Sequence, residues 1–248
     1  MTITKILTPY NFTDKNSTAR IKYIVIHYVG ALGGAKANCQ FYASKYIGAS
    51  AHYFVGFDGE VFQGVEDADI AWHCGASAYK HPECRNSNSI GIELCVRKKN
   101  TASLGATDKD WYFEDATIES AIELVKSLMK KYNIPATNVI RHYDVTGKLC
   151  PNPYVYNGTA HIWKDFKAAI SVPTTTAPIV TALTPYVITT TCDTLYIRAG
   201  AGTSFKQTGE ITEKAGHKNK YTIVQEKDGW GKLKSGAGWI SLKYTQRV

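Results

Sequence analysis

The stretch Lys22–Tyr28, KYIVIHY, decides how this chain folds. It is β-branched and aromatic, the composition of a strand inside a sheet. It also carries His27, a polar side chain in an otherwise apolar run. Working outward, Ala51–Phe57 (AHYFVGF) and Glu60–Gly64 (EVFQG) flank Asp58-Gly59, a hairpin-turn pair. Ile90–Val96 (IGIELCV) alternates, with Ile90, Ile92, Leu94 and Val96 on one side and Glu93 and Cys95 on the other. Ala116–Asn133 repeats apolar residues at helical spacing through Ile118, Ile122, Val125, Met129 and Tyr132. Asp115 is placed to cap that helix and Pro135 to stop it. Further helices are expected at Ala35–Tyr46 and His161–Ile170. Strands interleaved with helices predict an α/β mixed sheet flanked by helices.

The segment 171–185, SVPTTTAPIVTALTP, breaks this pattern. Its prolines block helix and central strand alike, so it reads as an extended linker. Beyond it, short strands lie between glycines, as in TLYIRAGAGTSF, KYTIVQEKDGWGKL and GAGWISLKYTQRV. That pattern suits a small all-β, SH3-like barrel. Lys227-Asp228-Gly229 reads as a turn, and Trp230 and Trp239 as barrel core. The expected organisation is 1–171, a linker over 172–185, and 186–248.

Composition narrows the class. With 248 residues, 44% apolar and 20% charged, the chain is neither disordered nor fibrous as a whole. No run approaches the roughly 18 apolar residues of a membrane helix. The first twenty residues hold no apolar core and no small-residue cleavage site, so no signal peptide and synthesis in the cytoplasm are expected. Twenty-nine Lys and Arg against 21 Asp and Glu give a charge of +8. Residues 172–248 hold 10 basic and 5 acidic side chains, +5 of that total. The excess suits a polyanionic partner or simply a soluble surface. The six cysteines include no C-x-x-C pair, which excludes a zinc ribbon or a thioredoxin-like motif.

Three polar residues need a reason: His27, His142 in VIRHYDV, and Cys150 eight residues later in LCPNP. Two imidazoles and a thiolate bind Zn2+ and leave a fourth position for water. Taken singly, a strand His or a lone Cys is more often a buried packing residue, and the His-x7-Cys pair brings the metal reading level with that one. Glu93 faces away from the apolar side of its strand, either toward solvent or into a cleft as a general base. Lys148 is placed to steady an oxyanion if Cys150 is a ligand.

Five blocks occur in order: YIVIHYVG, SAHYFVGFDGEVFQGV, IAWHCGAS, NSIGIELC and RHYDVTGKLCPNP. Together, over about Tyr23 to Ile170, they resemble the amidase-2 type zinc N-acetylmuramoyl-L-alanine amidases, related to T7-type lysozyme amidases and peptidoglycan recognition proteins. The resemblance implies a zinc at the bottom of a groove, with ligands at His27, His142 and Cys150. It places Glu93 and Lys148 as catalytic residues, and His73, His52 and Asn88 as substrate contacts. T7-type members carry a Tyr just before the hairpin His. Ala51 stands there in this chain, and Tyr53 falls where they have Phe, so the base role goes to Glu93. Non-catalytic recognition proteins of the superfamily typically lose the Cys ligand, and this chain keeps it.

The C-terminal block resembles bacterial SH3 (SH3b) domains, which bind cell walls, and implies wall contacts at Tyr196, Trp239 and Tyr244. The implied activity is cleavage of the amide between N-acetylmuramic acid and L-alanine in bacterial peptidoglycan. Anionic wall polymers are a second expected partner; nucleic acid and membrane insertion are not expected. The architecture resembles phage endolysins, which reach the wall through a separate holin-type pore. A host autolysin, a non-catalytic peptidoglycan-binding protein and a wall endopeptidase are the competing readings.

Overall fold

The computed structural model describes residues 1–171, 185–202, 205–213, 219–227 and 229–248. The chain divides into two units, Met1–Pro173 and Thr174–Val248. Of the expected linker only Pro185 is described, and Asp228 of the expected turn also lies outside the described residues.

The first unit is built on six strands: β1 (Ile3–Lys5), β2 (Tyr23–Tyr28), β3 (Tyr53–Val55), β4 (Val61–Gln63), β5 (Ser89–Leu94) and β6 (Val139–Arg141). They lie in the order β1-β4-β3-β5-β2-β6. Only the β3–β4 hairpin is antiparallel; the remaining pairs are parallel. KYIVIHY is central because every residue of β2 is buried, with β5 on one side and β6 on the other.

Helices cover both faces. On one side Ile24 and Ile26 of β2 and Ile90, Ile92 and Leu94 of β5 pack with α2 (Asp115–Tyr132) through Ile118, Ala121, Leu124 and Val125. Each such Ile, Leu or Val side chain taken out of water contributes about 1.5–3 kcal/mol. The C-terminal helix of the unit, Trp163–Ser171, joins this core through Phe166 and Ile170. On the other side Phe54 and Cys95 meet Ala35 and Cys39 of α1 (Ala35–Ser44). There too Tyr23 and Val25 meet Cys74, Cys84 and Val145.

Local chemistry corrects the expected helix ends in this unit. Asp115 does not cap the long helix: it is the first helical residue, Glu114 takes the N-cap position, and no side-chain cap bond forms. The Asp115 carboxylate instead pairs with His161 at 2.7 Å. The helix ends at Asn133, whose left-handed φ of 52° turns the chain so that the Ile134 N–H also reaches the Met129 carbonyl, at 2.9 Å, before Pro135 is met. The last helix starts at Trp163 rather than His161, and α1 stops at Ser44 rather than Tyr46.

The described residues of the second unit form a seven-stranded antiparallel sheet with a core of Ile188, Leu195, Ile197, Ile211, Ile223, Leu233 and Ile240. Trp230 and Trp239 do not belong to that core, contrary to the reading of both as barrel interior. Strand alternation gives the inward positions to Gly231, Leu233 and Ile240, leaving both tryptophans half-buried. Gly231 sits tightly there: a Cβ would come within 2.7 Å of a Leu242 methyl and 2.9 Å of an Ile223 methyl, which would have to shift. Tyr196 and Tyr244 are exposed.

Candidate metal centre and groove

The site lies where the parallel strands end, the usual place for a ligand crevice in such a sheet. Parallel register aligns Phe54, Glu93 and His27 across β3, β5 and β2 on the face away from α2. Arg141 pairs with Ile26, so the next residue, His142, falls level with His27 at the start of a short helix. Cys150 is brought back by a loop in which its carbonyl accepts the Tyr143 N–H at 2.7 Å.

One ligand atom each from His27, His142 and Cys150 lies within 4.8 Å of the others, and all three residues are buried. Cys150 Sγ is 3.7 Å from His27 Nδ1. The rings of His27 and His142 meet edge-on with centroids 4.7 Å apart. His142 Nδ1 is buried without a hydrogen-bond partner, and so is Glu93 Oε2. Buried polar atoms are rarely left so, and bare nitrogen and oxygen atoms around a sulfur are what a bound cation would satisfy. The donor set fits Zn2+: two imidazoles and a thiol, with room for a fourth ligand.

The electrostatics agree with that fit. Burial, assisted by neighbouring His142, holds the His27 imidazole well below the usual histidine range. Burial and Lys148 bring His142 to about 3. Both rings are therefore neutral, the form that binds a metal. Burial and the nearby Glu93 push the Cys150 thiol up, so its proton leaves only when a cation takes its place. Burial raises Glu93 to about 8, with Lys148 opposing. Its Oε1 stands 4.0 Å from His27 Nδ1.

His142 also lines a groove of about 560 Å3, with Trp72, His73, Asn86, Thr146 and Lys148 among its walls. The structure thus gathers His27, His142, Cys150 and Glu93, with His73 and Lys148 beside them. It does not gather His52. That ring is fully buried, with Nδ1 accepting the Gly91 N–H at 3.0 Å and Nε2 3.3 Å from the Asp69 carbonyl. Asn88 is likewise occupied in its own turn, accepting the Arg85 N–H and donating to the Glu83 carbonyl. Neither lines the groove. Asn86, two residues earlier, does line the groove, and its Oδ1 accepts the N–H groups of His73 and Cys74. Nothing in the NSNS run distinguished one Asn from the other. Trp72 was within sight, being the residue before His73. Tyr53 points away from the site, donating to Asp67 at 2.6 Å.

Residues 17–153 match the family model for N-acetylmuramoyl-L-alanine amidase. Among similar proteins, the N-acetylmuramoyl-L-alanine amidase CwlL of Bacillus licheniformis is 34% identical over 149 residues, covering 55% of this chain and 38% of that one. The chain therefore spans well under half the length of that relative. The solved structure of PlyL aligns with a TM-score of 0.53 at 25% identity, over 70% of this chain and 99% of that one. A mutant endolysin from Bacillus subtilis aligns at 0.52 and 27% identity, over 68% of this chain and 99% of that one.

Proposed function

Because the chain belongs to the N-acetylmuramoyl-L-alanine amidase family, we propose that it hydrolyses the amide between N-acetylmuramic acid and L-alanine in peptidoglycan with a zinc held by His27, His142 and Cys150. The observation that carries this reading is the convergence of two neutral imidazoles and a thiol on one buried point, with the Glu93 carboxyl beside them. A bound Zn2+ would supply a Lewis acid that polarises the scissile carbonyl and makes water acidic enough to attack at neutral pH.

The protein's own residues do the rest. Glu93, raised by burial to about 8, sits in the range where a carboxyl can both take a proton and return it near neutral pH. It accepts the proton of the attacking water and delivers it to the departing L-alanine nitrogen. Lys148, on the groove wall, steadies the negative charge that develops on the carbonyl oxygen. Trp72 and the loop 75–78 flank the muramyl peptide, and walls on both sides hold the scissile bond against the base.

The organisation 1–171, 172–185 and 186–248 assigns catalysis to the first part and wall binding to the last, as an SH3b barrel. Supporting this is an outward row on that unit: Arg198 pairs with Trp239, which pairs with Lys232, while Tyr196 is exposed on the same strand as Arg198. Aromatic faces beside cations suit peptide and anionic wall polymers. Tethering raises the effective substrate concentration without changing the site. The likeness to a solved endolysin supports action on the wall from within, after a holin-type pore has opened. No helix among the described residues is long and apolar enough to cross a membrane.

Digestion of purified Gram-positive sacculi tests the reading. New L-alanine amino termini without reducing sugars, lost with a chelator and restored by Zn2+, are expected. Internal peptide amines would instead identify an endopeptidase. Binding without any new termini would leave a recognition protein.

A further inference from the structure

His27, His73 and Ser89 form one line of hydrogen bonds whose direction is set at its far end. Ser89 Oγ lies 2.7 Å from the Arg85 carbonyl oxygen. A carbonyl only accepts, so the single hydroxyl proton of Ser89 points there. Ser89 then offers lone pairs to His73 Nε2, 3.1 Å away, and that nitrogen must carry a hydrogen. In a neutral imidazole the other nitrogen is bare. His73 Nδ1 therefore accepts, and its partner at 3.0 Å is His27 Nε2. With the hydrogen on Nε2, His27 keeps a bare Nδ1, the nitrogen that faces Cys150 Sγ and Glu93.

The His73 ring is itself held. Its backbone N–H is bound to Asn86 Oδ1 at 3.1 Å. The ring lies so close over β5 that a Cβ on Gly91 would meet its Cγ at 2.5 Å, so only glycine fits at that position. The buried His52 ring packs edge-on beside it at 5.9 Å and holds the Gly91 N–H. Such clamping suits a part with a fixed partner better than a side chain that must follow a moving substrate.

We propose that His73 is a positioning residue, anchored by Ser89, that holds His27 in its Nε2–H tautomer and aims Nδ1 at the metal, rather than a contact to the substrate. The proposal rests on the zinc reading of His27, His142 and Cys150. It predicts a property that the protein shows before any substrate is present. Partners of this kind around metal ligands change metal affinity by about 10- to 100-fold when lost.

The direct test is a long-range proton–nitrogen spectrum of the 15N-histidine-labelled full chain at pH 8, metal-free and loaded with Zn2+. His27 is expected as the Nε2–H tautomer in both samples, with His73 also protonated on Nε2. An Nδ1–H tautomer for metal-free His27 overturns the proposal, and this measurement needs no variant to fold. Zinc affinity by chelator competition supplies the second readout. His73→Phe should weaken binding by about 10- to 100-fold, and His73→Asn, whose amide oxygen stands where Nδ1 did, should recover most of it. Wild-type affinity in His73→Phe, or equal losses in both variants, overturns the acceptor role. Because neither readout needs turnover, failure of the amidase reading would appear separately, as sacculi left uncut by a protein that still shows this tautomer and binds zinc.

Discussion

Glu93 sits directly across the β-ladder from His27, and its carboxylate Oε1 stands 4.0 Å from the His27 Nδ1. Two parallel strands thus place the candidate base beside a candidate ligand with no loop between them. The sheet, rather than the groove walls, sets the distance between the two. That rigidity suits chemistry in which a misplacement of about 1 Å costs orders of magnitude in rate.

Glu93→Gln should keep zinc content at the wild-type level and lower kcat by about 10²- to 10⁴-fold, the usual worth of a general base. Zinc stoichiometry and muropeptide turnover on the same preparation check it. Turnover within about threefold of wild type would remove Glu93 from the base role.

The same carboxyl predicts a pH effect on the metal-free protein. Its folded value is raised by burial from 4.5 to about 8, so the folded state resists an ionisation that the unfolded chain accepts. Stability from this group is present below pH 4.5 and is lost as pH rises toward 8. Thermal melts in chelator between pH 5 and 8 should show the wild type losing ground to Glu93→Gln with rising pH. A constant difference across that range would contradict it.

Cys150→Ser should bind zinc far more weakly and nearly abolish amide cleavage, because a hydroxyl is a poor substitute for a thiolate ligand. Equilibrium dialysis against Zn2+ measures the first effect. The fold should survive, since serine is close in volume to cysteine. Far-UV circular dichroism checks that point.

Asp67→Ala should destabilise the first unit while leaving zinc binding unchanged. Asp67 is buried on the opposite face, accepting Tyr53 Oη at 2.6 Å and Tyr132 Oη at 2.5 Å, with Lys131 Nζ at 2.9 Å. Removing it strands the buried Tyr53 hydroxyl, at roughly 1–3 kcal/mol, and frees the half-buried Tyr132 hydroxyl. A drop in Tm of several degrees, with unaltered chelator competition, is the expected result.

Removing residues 185–248 should reduce action on whole sacculi by about tenfold or more while sparing soluble muropeptides, since only the former gains from tethering. Each unit has its own apolar core, so the first should fold without the second. In the full chain, raising salt should weaken binding to walls if cations on the second unit meet anionic polymers. Equal losses on both substrates would argue against the tether.

Much of the fold was legible in local pattern. The β-branched run at 23–28, the Asp58-Gly59 hairpin and the helical spacing after Asp115 each encode their element in adjacent residues. Element ends were less legible. The long helix begins at Asp115, one residue before the expected Ala116, and the Asp115 carboxylate pairs with His161, far along the chain, instead of capping it. The tryptophans of the second unit were misread for a related reason. Large apolar residues suggest a core, but the pleat gives the interior to Gly231 and Ile240.

The chain's own sequence determined which chemistry was available: two histidines, a cysteine, a carboxylate and a lysine carried on strands and a proline-rich loop. Residue types and strand periodicity are local properties, so they can be read in one dimension. Which of several polar residues reached the site was decided only by tertiary packing. His52 and Asn88 look as chemical as His73 and Asn86, yet only the second pair lines the groove, and the Gly91 N–H, 39 residues along the chain, occupies the His52 ring. Hydrogen bonds and burial are satisfied by neighbours in space, and those neighbours come from residues tens of positions apart.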